Sequence, residues 1–409
     1  MRIIAILLSI ALFFELLYCF LVFTNVPVIK YWREQFISTA LSTMEHQWLA
    51  DYFLPKYMVE DIRYRKEMAL ISQEDDVSKR PAPTEPVPYD PEDPTAPSTT
   101  LFPQHSEVPP VPGDSPEESA FYSLFWELNR STFEQYVEDH PSVLDEGWEN
   151  IYINEAGLDD MGTSIYTTMG EQVLAIDAKN KILLLRVQGS GYLGVLAIAK
   201  DPTQLRCEAS PGIGSYGQYL GTLVSKSGGI LGITGSGFVD PDGRGNGGLV
   251  AGYTMCEGKE YGSHYTLRGY KRIELTVDNK MYITNAKDSV ASDVTDAVEF
   301  APALVVDGQM TVDGYNDYNG INPRACIGQS SYGEIMMLVI EGRQIGRSIG
   351  TDVETCAKIL MRHDAYTAMN LDGGTSAIMW YDGEYVTKCS NTKIQSRYLP
   401  NAWVYGNYE

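Results

Sequence analysis

Residues 370–376, with the sequence NLDGGTS, place a carboxylate, two glycines and two hydroxyls within seven positions. We predict a strand directly before this stretch, at residues 366–371, and a second strand at residues 377–381. Glycines let the backbone turn sharply and approach a ligand closely, and successive N–H groups in such a turn can bind an anion. Asp372 is therefore a candidate for acid–base or nucleophilic chemistry, although an ordinary tight turn has the same composition.

Outward from this stretch, the sequence predicts one clear helix and many strands. Thr351 and Glu354 have the spacing of a capping box, and the apolar residues after Thr351 share one helical face: Val353, Cys356, Ala357, Leu360 and Met361. Apolar runs at residues 172–177, 181–187 and 192–199 predict buried strands. We therefore predict an α+β fold, a strand-rich mixed sheet with few helices. The main domain covers residues 172–409, and residues 121–171 are the N-terminal part of the globular unit.

The overall composition excludes some classes of partner. The chain has 409 residues, 44% of them hydrophobic, and a formal charge of -23. A general nucleic-acid binder needs a basic face, which this charge argues against. An anionic substrate would have to be held by a few placed arginines or N–H groups. The six cysteines contain no C-x-x-C pair, so they do not indicate a zinc or redox motif, and the sequence assigns no disulfide.

The N-terminus predicts a membrane anchor at residues 1–25. Residues 3–23 are nearly all apolar, and at about 1.5 Å per residue they span a bilayer core of about 30 Å. A cleaved signal peptide is the alternative, but no small-x-small cleavage site follows. We expect a single-pass protein of the cell membrane whose large C-terminal part lies outside the cytoplasm.

Two segments are expected between the anchor and the globular unit. Residues 26–71 have the pattern of a juxtamembrane helical segment. Residues 72–120 are rich in proline and acidic residues, which predicts a disordered linker that holds the next domain away from the membrane. A ligand for a proline-recognition domain is the alternative for the same composition.

A glycine-rich stretch at residues 228–248 is a second candidate for chemistry. Thr234, Ser236 and Gly237 lie in it and would put hydroxyls and close backbone against a substrate. No cofactor is required by the sequence, but a divalent cation such as Ca²⁺ stays open, because Asp240 and Asp242 offer hard oxygen ligands. A turn-rich loop without function is the alternative.

Three arginines and one glutamate complete the candidates. Arg324 follows Asn-Pro, Arg343 follows Glu341-Gly, and Arg397 lies near the C-terminus. A guanidinium has a planar fork that suits phosphate or carboxylate oxygens, although an exposed loop charge is the commoner case.

Four of these pieces occur in an order that resembles the phosphodiester glycosidase family. They are residues 232–240 (GITGSGFVD), Pro323-Arg324 with Ile327-Gly328, residues 339–343 (VIEGR) and residues 370–376. The resemblance covers roughly residues 172–405 and implies hydrolysis of a sugar-1-phosphodiester. It implies that Arg324 and Arg343 hold phosphate oxygens and that Asp372 is a catalytic carboxylate. By the same reasoning the substrate is lined by Asn370, Gly373, Gly374, Thr375 and Ser376, together with Thr234, Ser236 and Gly237.

The chain departs from the family pattern at three positions. Thr234 stands where the family often has Asn, Glu341 where it often has Asp, and Thr375 where it often has a third glycine. Thr375 adds a Cβ where backbone would approach substrate. Glycosidic cleavage usually needs two carboxylates, and Glu341 is the expected partner of Asp372.

The sequence thus predicts a membrane-anchored extracytoplasmic hydrolase acting on glycosyl phosphodiesters of cell-envelope or exopolysaccharide material. Its partners would be a glycan or glycosyl-phosphate substrate and, through the N-terminal helix, the membrane; nucleic acid is not expected. A non-catalytic carbohydrate-binding protein and a polysaccharide-assembly factor on the same fold remain the alternatives.

Overall fold

The structure, a computed structural model, describes residues 2–43, 46–80, 113–262, 269–313 and 320–408. Its described helices are α1 Arg2–Phe23, α2 Pro27–Leu41, α3 Gln47–Phe53, α4 Lys56–Ser72, α5 Pro116–Leu124, α6 Arg130–Asp139, α7 Leu220–Ser227 and α8 Val353–Met361. Strands dominate everything after α6, and with so few helices beside them the α+β class is confirmed.

The strands are short and follow one another closely along the chain. They are β1 Tyr152–Asn154, β2 Gln172–Asp177, β3 Ile182–Gly189, β4 Tyr192–Ala199, β5 Leu205–Ala209, β6 Gln218–Tyr219, β7 Gly229–Thr234, β8 Tyr253–Cys256, β9 Lys259–Gly262, β10 Lys271–Thr276, β11 Met281–Asn285, β12 Val294–Phe300, β13 Ala303–Val306, β14 Gln309–Met310, β15 Arg324–Ser330, β16 Ile335–Ile340, β17 Ala365–Asn370, β18 Met379–Tyr381, β19 Glu384–Tyr385, β20 Tyr398–Leu399 and β21 Asn401–Gly406.

These strands form one large sheet and three smaller ones. The nine-stranded sheet has the order β1-β2-β3-β4-β16-β15-β17-β13-β14, and two five-stranded sheets have the orders β11-β10-β12-β8-β9 and β19-β18-β7-β21-β5. Strands β20 and β6 form a two-stranded sheet. The described pairs are all antiparallel, whereas the sequence predicts a mixed sheet. Antiparallel pairing needs only short turns between strands, so few crossover helices are present.

The centre of the large sheet is covered on both faces. All six residues of β16 are buried, and alternate residues belong to two different hydrophobic clusters, one on each face of the sheet. Arg324 at the start of β15 pairs with Ile340 at the end of β16, and Cys326 pairs with Asn370 at the end of β17. The start of β15 and the ends of β16 and β17 therefore meet at one edge of the sheet, which positions the loops that follow.

Helix α8 forms where the sequence predicts a helix, but its N-cap is Asp352 rather than Thr351. The Asp352 carboxylate accepts a hydrogen bond of 2.7 Å from the N–H of Thr355. Thr351 instead exchanges two backbone hydrogen bonds of 3.0 Å with Asn322, which ties the start of α8 to the segment before β15.

At the N-terminus, α1 is long and apolar enough to cross a membrane, and its apolar window is exposed in the protein. A signal sequence near an N-terminus has the same length and composition, so α1 alone supports a span only weakly. The end of α1 is tied to α2, because the Arg33 guanidinium donates to the carbonyl of Val22 at 2.6 Å and to that of Thr24 at 3.0 Å.

Both ends of the segment expected as a linker, residues 72–120, contain described residues with structure. Residues 73–80 are bonded to the domain: Gln73 donates to the carbonyl of Thr311 at 2.8 Å, and Arg80 forms a 2.7 Å ion pair with buried Glu274. At the other end α5 begins at Pro116, with Ser115 as a side-chain N-cap. Residues 81–112 lie outside the described residues.

Candidate functional site

Three of the stretches singled out in the sequence meet beyond the edge where β15, β16 and β17 converge. The N–H of Gly374 donates to the carbonyl of Pro323 at 3.1 Å, and the N–H of Leu371 donates to that of Ala325 at 2.8 Å. These bonds place the loop after β17 on the segment that starts β15. The Arg343 guanidinium donates to the Asn322 side-chain oxygen at 3.1 Å, which brings in the loop after β16.

Asp372 lies at the centre of this assembly and is partly buried. Burial raises its pKa from 3.8 to about 6. A hydrogen bond from Ser376 and the positive charges of Arg397 and Arg343 act in the opposite direction, and the charge of Asp240 adds to the effect of burial. A carboxyl group with such a pKa changes its charge in the range where enzymes use general acids and bases.

Arg397 and Asp240 form a bidentate ion pair at the site. Nη1 of Arg397 lies 2.5 Å from Oδ2 of Asp240, and Nη2 lies 2.8 Å from Oδ1, so the contact is bidentate. Burial acts to raise the pKa of Asp240, but the bond from Arg397, the N–H of Gly245 and the arginine charge outweigh it and lower the pKa. Asp240 therefore stays ionised and fixes the guanidinium beside Asp372.

The pairing with Arg397 does not favour the hypothesis that Asp240 is a calcium ligand. Both of its carboxylate oxygens are engaged by Arg397, and the side chain of Asp242 lies outside what the structure describes. Within the described ranges, no group of three or more His, Cys, Asp or Glu side chains is placed to hold a metal ion.

Arg343, whose charge also acts on Asp372, is exposed. Its own φ is 60°, in the left-handed region that non-glycine residues rarely adopt. A Cβ on Gly374, where φ is +60°, would lie 3.2 Å from Nη1 of Arg343. Glycine at position 374 therefore serves both the turn and the close approach of the guanidinium.

Thr375, the departure from the family pattern, fits its position without strain. It is absent from the described residues with positive φ, so its Cβ meets no left-handed penalty. The Thr375 carbonyl accepts a hydrogen bond from the Cys389 thiol at 3.3 Å, and its hydroxyl oxygen lies 3.4 Å from that of Ser390. The extra side-chain atoms thus contact the 389–390 segment. Gly373 has less room, because a Cβ there would lie 2.8 Å from the carbonyl oxygen of Pro323.

The two other charged candidates are part of the scaffold. Glu341 is fully buried, and its carboxylate accepts hydrogen bonds from Arg347 at 2.5 and 3.1 Å and from the N–H of Lys388 at 2.7 Å. Arg324 is also buried, and its guanidinium donates to the backbone carbonyls of Thr351 at 3.1 Å and Gly320 at 2.8 Å. Both side chains thus bond to the protein itself, and the roles expected for them, a second catalytic carboxylate for Glu341 and a phosphate contact for Arg324, stay predictions.

The candidates in the glycine-rich stretch, and Asn370, are buried as well. The Ser236 hydroxyl accepts a 2.7 Å bond from Asn401, and a Cβ on Gly237 would lie 2.9 Å from the Phe300 ring. Asn370 donates to the carbonyl of Ala301 at 2.7 Å, and Thr234 is fully buried at the end of β7. Ser236 and Asn370 therefore support the backbone beneath the site, where the sequence predicts contact with substrate.

Two residues near Asp372 gave no signal in the sequence. Tyr270 precedes β10, and its pKa is raised to about 12 by burial and by the charge of Asp372. Burial raises the pKa of the Cys389 thiol, while the N–H of Asn391 and the charges of Arg397 and Arg343 act to lower it. Only the folded chain brings these distant residues to the loop after β17.

The end of the juxtamembrane segment lies against the Arg343 side of the site. Thr43, beyond the end of α2, has its hydroxyl 3.3 Å from Nη2 of Arg343, and the Ser42 hydroxyl accepts from the Asn322 amide at 2.8 Å. On α4, burial lowers the pKa of Lys66 to about 8, and the charge of Arg324 contributes to the decrease. Ser42 and Thr43, which follow α2, therefore lie beside Arg343 and Asn322.

Part of this chain is similar in sequence to known proteins. Residues 227–405 match the sequence model of the phosphodiester glycosidase family. An uncharacterized prophage-derived protein of Bacillus subtilis, YomE, is 28% identical over 208 residues, which are 49% of this chain and 29% of the relative. The match thus spans less than a third of that relative's length.

Solved structures with a similar chain course include two proteins of low sequence identity. The catalytic domain of zebrafish N-acetylglucosamine-1-phosphodiester alpha-N-acetylglucosaminidase, auto-inhibited by its pro-peptide, matches with a TM-score of 0.44 and 14% identity, over 56% of this chain and 82% of that one. A hypothetical protein from Synechocystis matches with a TM-score of 0.40 and 16% identity, over 59% of this chain and 65% of that one.

The segment matched by the family model, residues 227–405, contains β7, Asp240, the loops after β16 and β17, and Arg397. It therefore holds Asp372, Arg343, Arg397 and Asp240, but not the N-terminal residues that contact Arg343, and the resemblance expected from the four sequence stretches is confirmed. Residues 227–405, somewhat less than half of the chain, therefore have the sequence pattern of the phosphodiester glycosidase family.

Proposed function

We propose that this protein hydrolyses a glycosyl phosphodiester outside the cytoplasm, at a site centred on Asp372 and anchored near the membrane by α1. The observation that carries the proposal is that Asp372 lies within the electrostatic influence of two guanidinium groups, those of Arg343 and Arg397, which both act to lower its pKa. A phosphodiester carries the negative charge that such a pair of cations would attract, and Arg–phosphate bonds are among the stronger contacts in proteins.

In the proposed reaction Asp372 acts in its ionised form as a base. It takes a proton from a water molecule whose oxygen attacks the anomeric carbon of the sugar. The bond between that carbon and the phosphate oxygen breaks, and the phosphate leaves as a monoester with the electron pair. Arg343 and Arg397 stabilise the charge that develops on the leaving phosphate, so a second carboxylate to protonate it is not required.

The surrounding residues have positioning roles in this proposal. Asp240 holds Arg397 in a fixed orientation through the bidentate contact. Glu341 binds the N–H of Lys388 and so fixes the segment that contacts Thr375. The substrate would be a glycosyl phosphodiester of cell-envelope or exopolysaccharide material.

The test uses the full-length protein in detergent and the methyl diester of a hexosamine-1-phosphate. We expect release of free sugar and methyl phosphate, and an inverted configuration in the first sugar seen by proton NMR, because water attacks directly. Retained configuration would contradict the role of Asp372 as a base toward water. Binding of the diester by calorimetry without release of sugar, in parent protein and Asp372→Asn alike, would favour the carbohydrate-binding alternative.

A further inference from the structure

Two cysteines outside the site face each other between the two five-stranded sheets. Cys207 lies on β5 and Cys256 is the last residue of β8, and their sulfur atoms are 3.0 Å apart. Strand β5 pairs with β21 in one sheet, while β8 pairs with β12 and β9 in the other. Both thiols are buried, with 0% and 4% of the residue exposed. A bond between them would join two sheets that share no strand.

One buried carboxylate holds the backbones of both cysteine segments. Oδ1 of Asp296, on β12, accepts a hydrogen bond from the N–H of Cys207 at 3.0 Å and another from the N–H of Glu257 at 2.9 Å. Glu257 directly follows Cys256 and has a φ of 48°, so the chain turns there. Asp296 is only 3% exposed. The two sulfur atoms are therefore brought together by fixed backbone positions and not by a chance rotamer on a surface.

We propose that Cys207 and Cys256 form a disulfide in the exported protein. The link closes when the thiolate of one cysteine attacks the disulfide of a thiol–disulfide oxidoreductase and forms a mixed disulfide. The other thiolate then attacks the cysteine sulfur of that mixed disulfide. Two protons and two electrons leave the pair, and the oxidoreductase is released as a dithiol. Such an oxidant belongs to the oxidising compartments in which disulfides persist.

The surroundings of the pair indicate when the link forms. Burial and the neighbouring Cys256 thiol raise the pKa of the Cys207 thiol well above its ordinary value. Since the thiolate is the attacking species, a folded, reduced pair reacts slowly. The link therefore forms while the two sheets are still open, and once they close the same burial protects it from reductants.

The link has a consequence for the candidate site. The chain between the two cysteines contains β7 and Asp240, the residue that holds Arg397. A disulfide at the two ends of this segment restricts its unfolded conformations, and a loop of about 50 residues should raise the melting temperature by about 10 °C.

The experiment is a peptide map of full-length protein purified from the membranes of cells that export it. The protein is unfolded in the presence of N-ethylmaleimide, digested without reduction and analysed by mass spectrometry. We expect a linked peptide pair containing Cys207 and Cys256 that disappears on reduction. The Cys389→Ser variant is the matched control and should give the same linked pair. Complete N-ethylmaleimide labelling of Cys207 and Cys256, or links from them only to other cysteines, would overturn the proposal.

A second measurement does not depend on the map. The double variant C207S/C256S should melt about 10 °C below the parent, and prior reduction in denaturant followed by refolding should lower only the parent's melting temperature. Equal melting of parent and double variant, with no effect of reduction, would also overturn the proposal. Neither readout uses the hydrolase activity, so a linked but inactive protein would refute the proposed function and leave the disulfide standing.

Discussion

Two guanidinium nitrogens of Arg397 donate to the two carboxylate oxygens of Asp240, at 2.5 and 2.8 Å, although 157 positions separate the two residues in the chain. The contact fixes a guanidinium near Asp372, whose pKa the same arginine acts to lower. We expect Asp240→Asn to weaken this orientation and to reduce kcat/KM about 10- to 100-fold, mainly through a higher KM. Steady-state kinetics with the methyl diester measure this.

The matched variant for this pair is Arg397→Lys, which keeps the positive charge but loses the planar fork. Arg397→Lys should reduce kcat/KM by the same range as Asp240→Asn. If either variant keeps the parent's kcat/KM, the ion pair does not position a substrate-binding group.

We expect the Asp372 side chain to support activity and to lower the stability of the folded protein. Asp372→Asn should lower kcat by about 10²- to 10⁴-fold, the range for loss of a general base. Because burial raises the pKa of the folded state above the unfolded value, the folded protein binds more protons between pH 3.8 and about 6. Stability is therefore lost as the pH rises through that window.

At pH 7.5 the asparagine variant escapes this cost, so its free energy of unfolding should exceed the parent's by about 1–3 kcal/mol. Urea unfolding measures the difference, which should shrink toward pH 4. Glu149→Gln, at an exposed position, is the control and should change neither kcat nor the free energy of unfolding. A less stable Asp372→Asn at pH 7.5 would contradict the raised pKa.

The pH dependence of the reaction should follow the same group. With Asp372 acting as an ionised base, kcat/KM should rise with pH through about 6 and then level off. A rate profile between pH 4.5 and 8 tests this. A rate that instead falls as the pH rises through 6 would assign Asp372 the role of an acid.

Glu341 should behave as a positioning residue. Its buried carboxylate is bonded to Arg347 and to the N–H of Lys388, so Glu341→Gln should lower the free energy of unfolding by about 2–4 kcal/mol. The kcat of the folded variant should fall less than tenfold, and the midpoint of its pH profile should stay near that of the parent. A shifted midpoint would show that Glu341 titrates in the reaction.

Positions 374 and 375 form a matched pair for the glycine question. Thr375→Gly should leave kcat/KM within about twofold and cost about 0.5–1 kcal/mol of stability, because its backbone does not need glycine. Gly374→Ala should lower kcat/KM and stability more than Thr375→Gly does. The reason is that φ is +60° at position 374 and the new Cβ would lie 3.2 Å from Nη1 of Arg343. A gain of activity in Thr375→Gly would mean that the departure from the family pattern limits the reaction.

The sequence predicted the elements better than the contacts of the site. The α+β class, helix α8 and the loop at Asp372 all follow from local patterns of apolar, capping and glycine residues. Arg324 was placed in the site by the family resemblance and Glu341 by the need for a second carboxylate, but whether a side chain at a strand end faces a ligand or the scaffold depends on its partners. The partner of Glu341 is Arg347, whereas Arg324 binds backbone carbonyls.

Long-range pairings were beyond the same local patterns. Tyr270 and Asp240 come to Asp372 from distant parts of the chain, and no spacing rule connects them. The residues just before the proline-rich segment show a related effect. Proline content marks where the chain cannot form regular structure, but it does not reveal that Gln73 and Arg80 are bonded to the domain.

The contact between Thr43 and Arg343 limits the distance between the site and the end of α1. Thr43 contacts Arg343 only 20 positions after Phe23, the last residue of α1, and most of that path is the 15-residue helix α2. Helix rise and extended-chain length limit the separation of Phe23 and Arg343 to about 40 Å. With α1 held in a bilayer, the proline-rich segment could be doubled or deleted without moving this limit. Substrates would then have to come to the membrane surface, and polymer farther from the membrane than this distance would stay uncut.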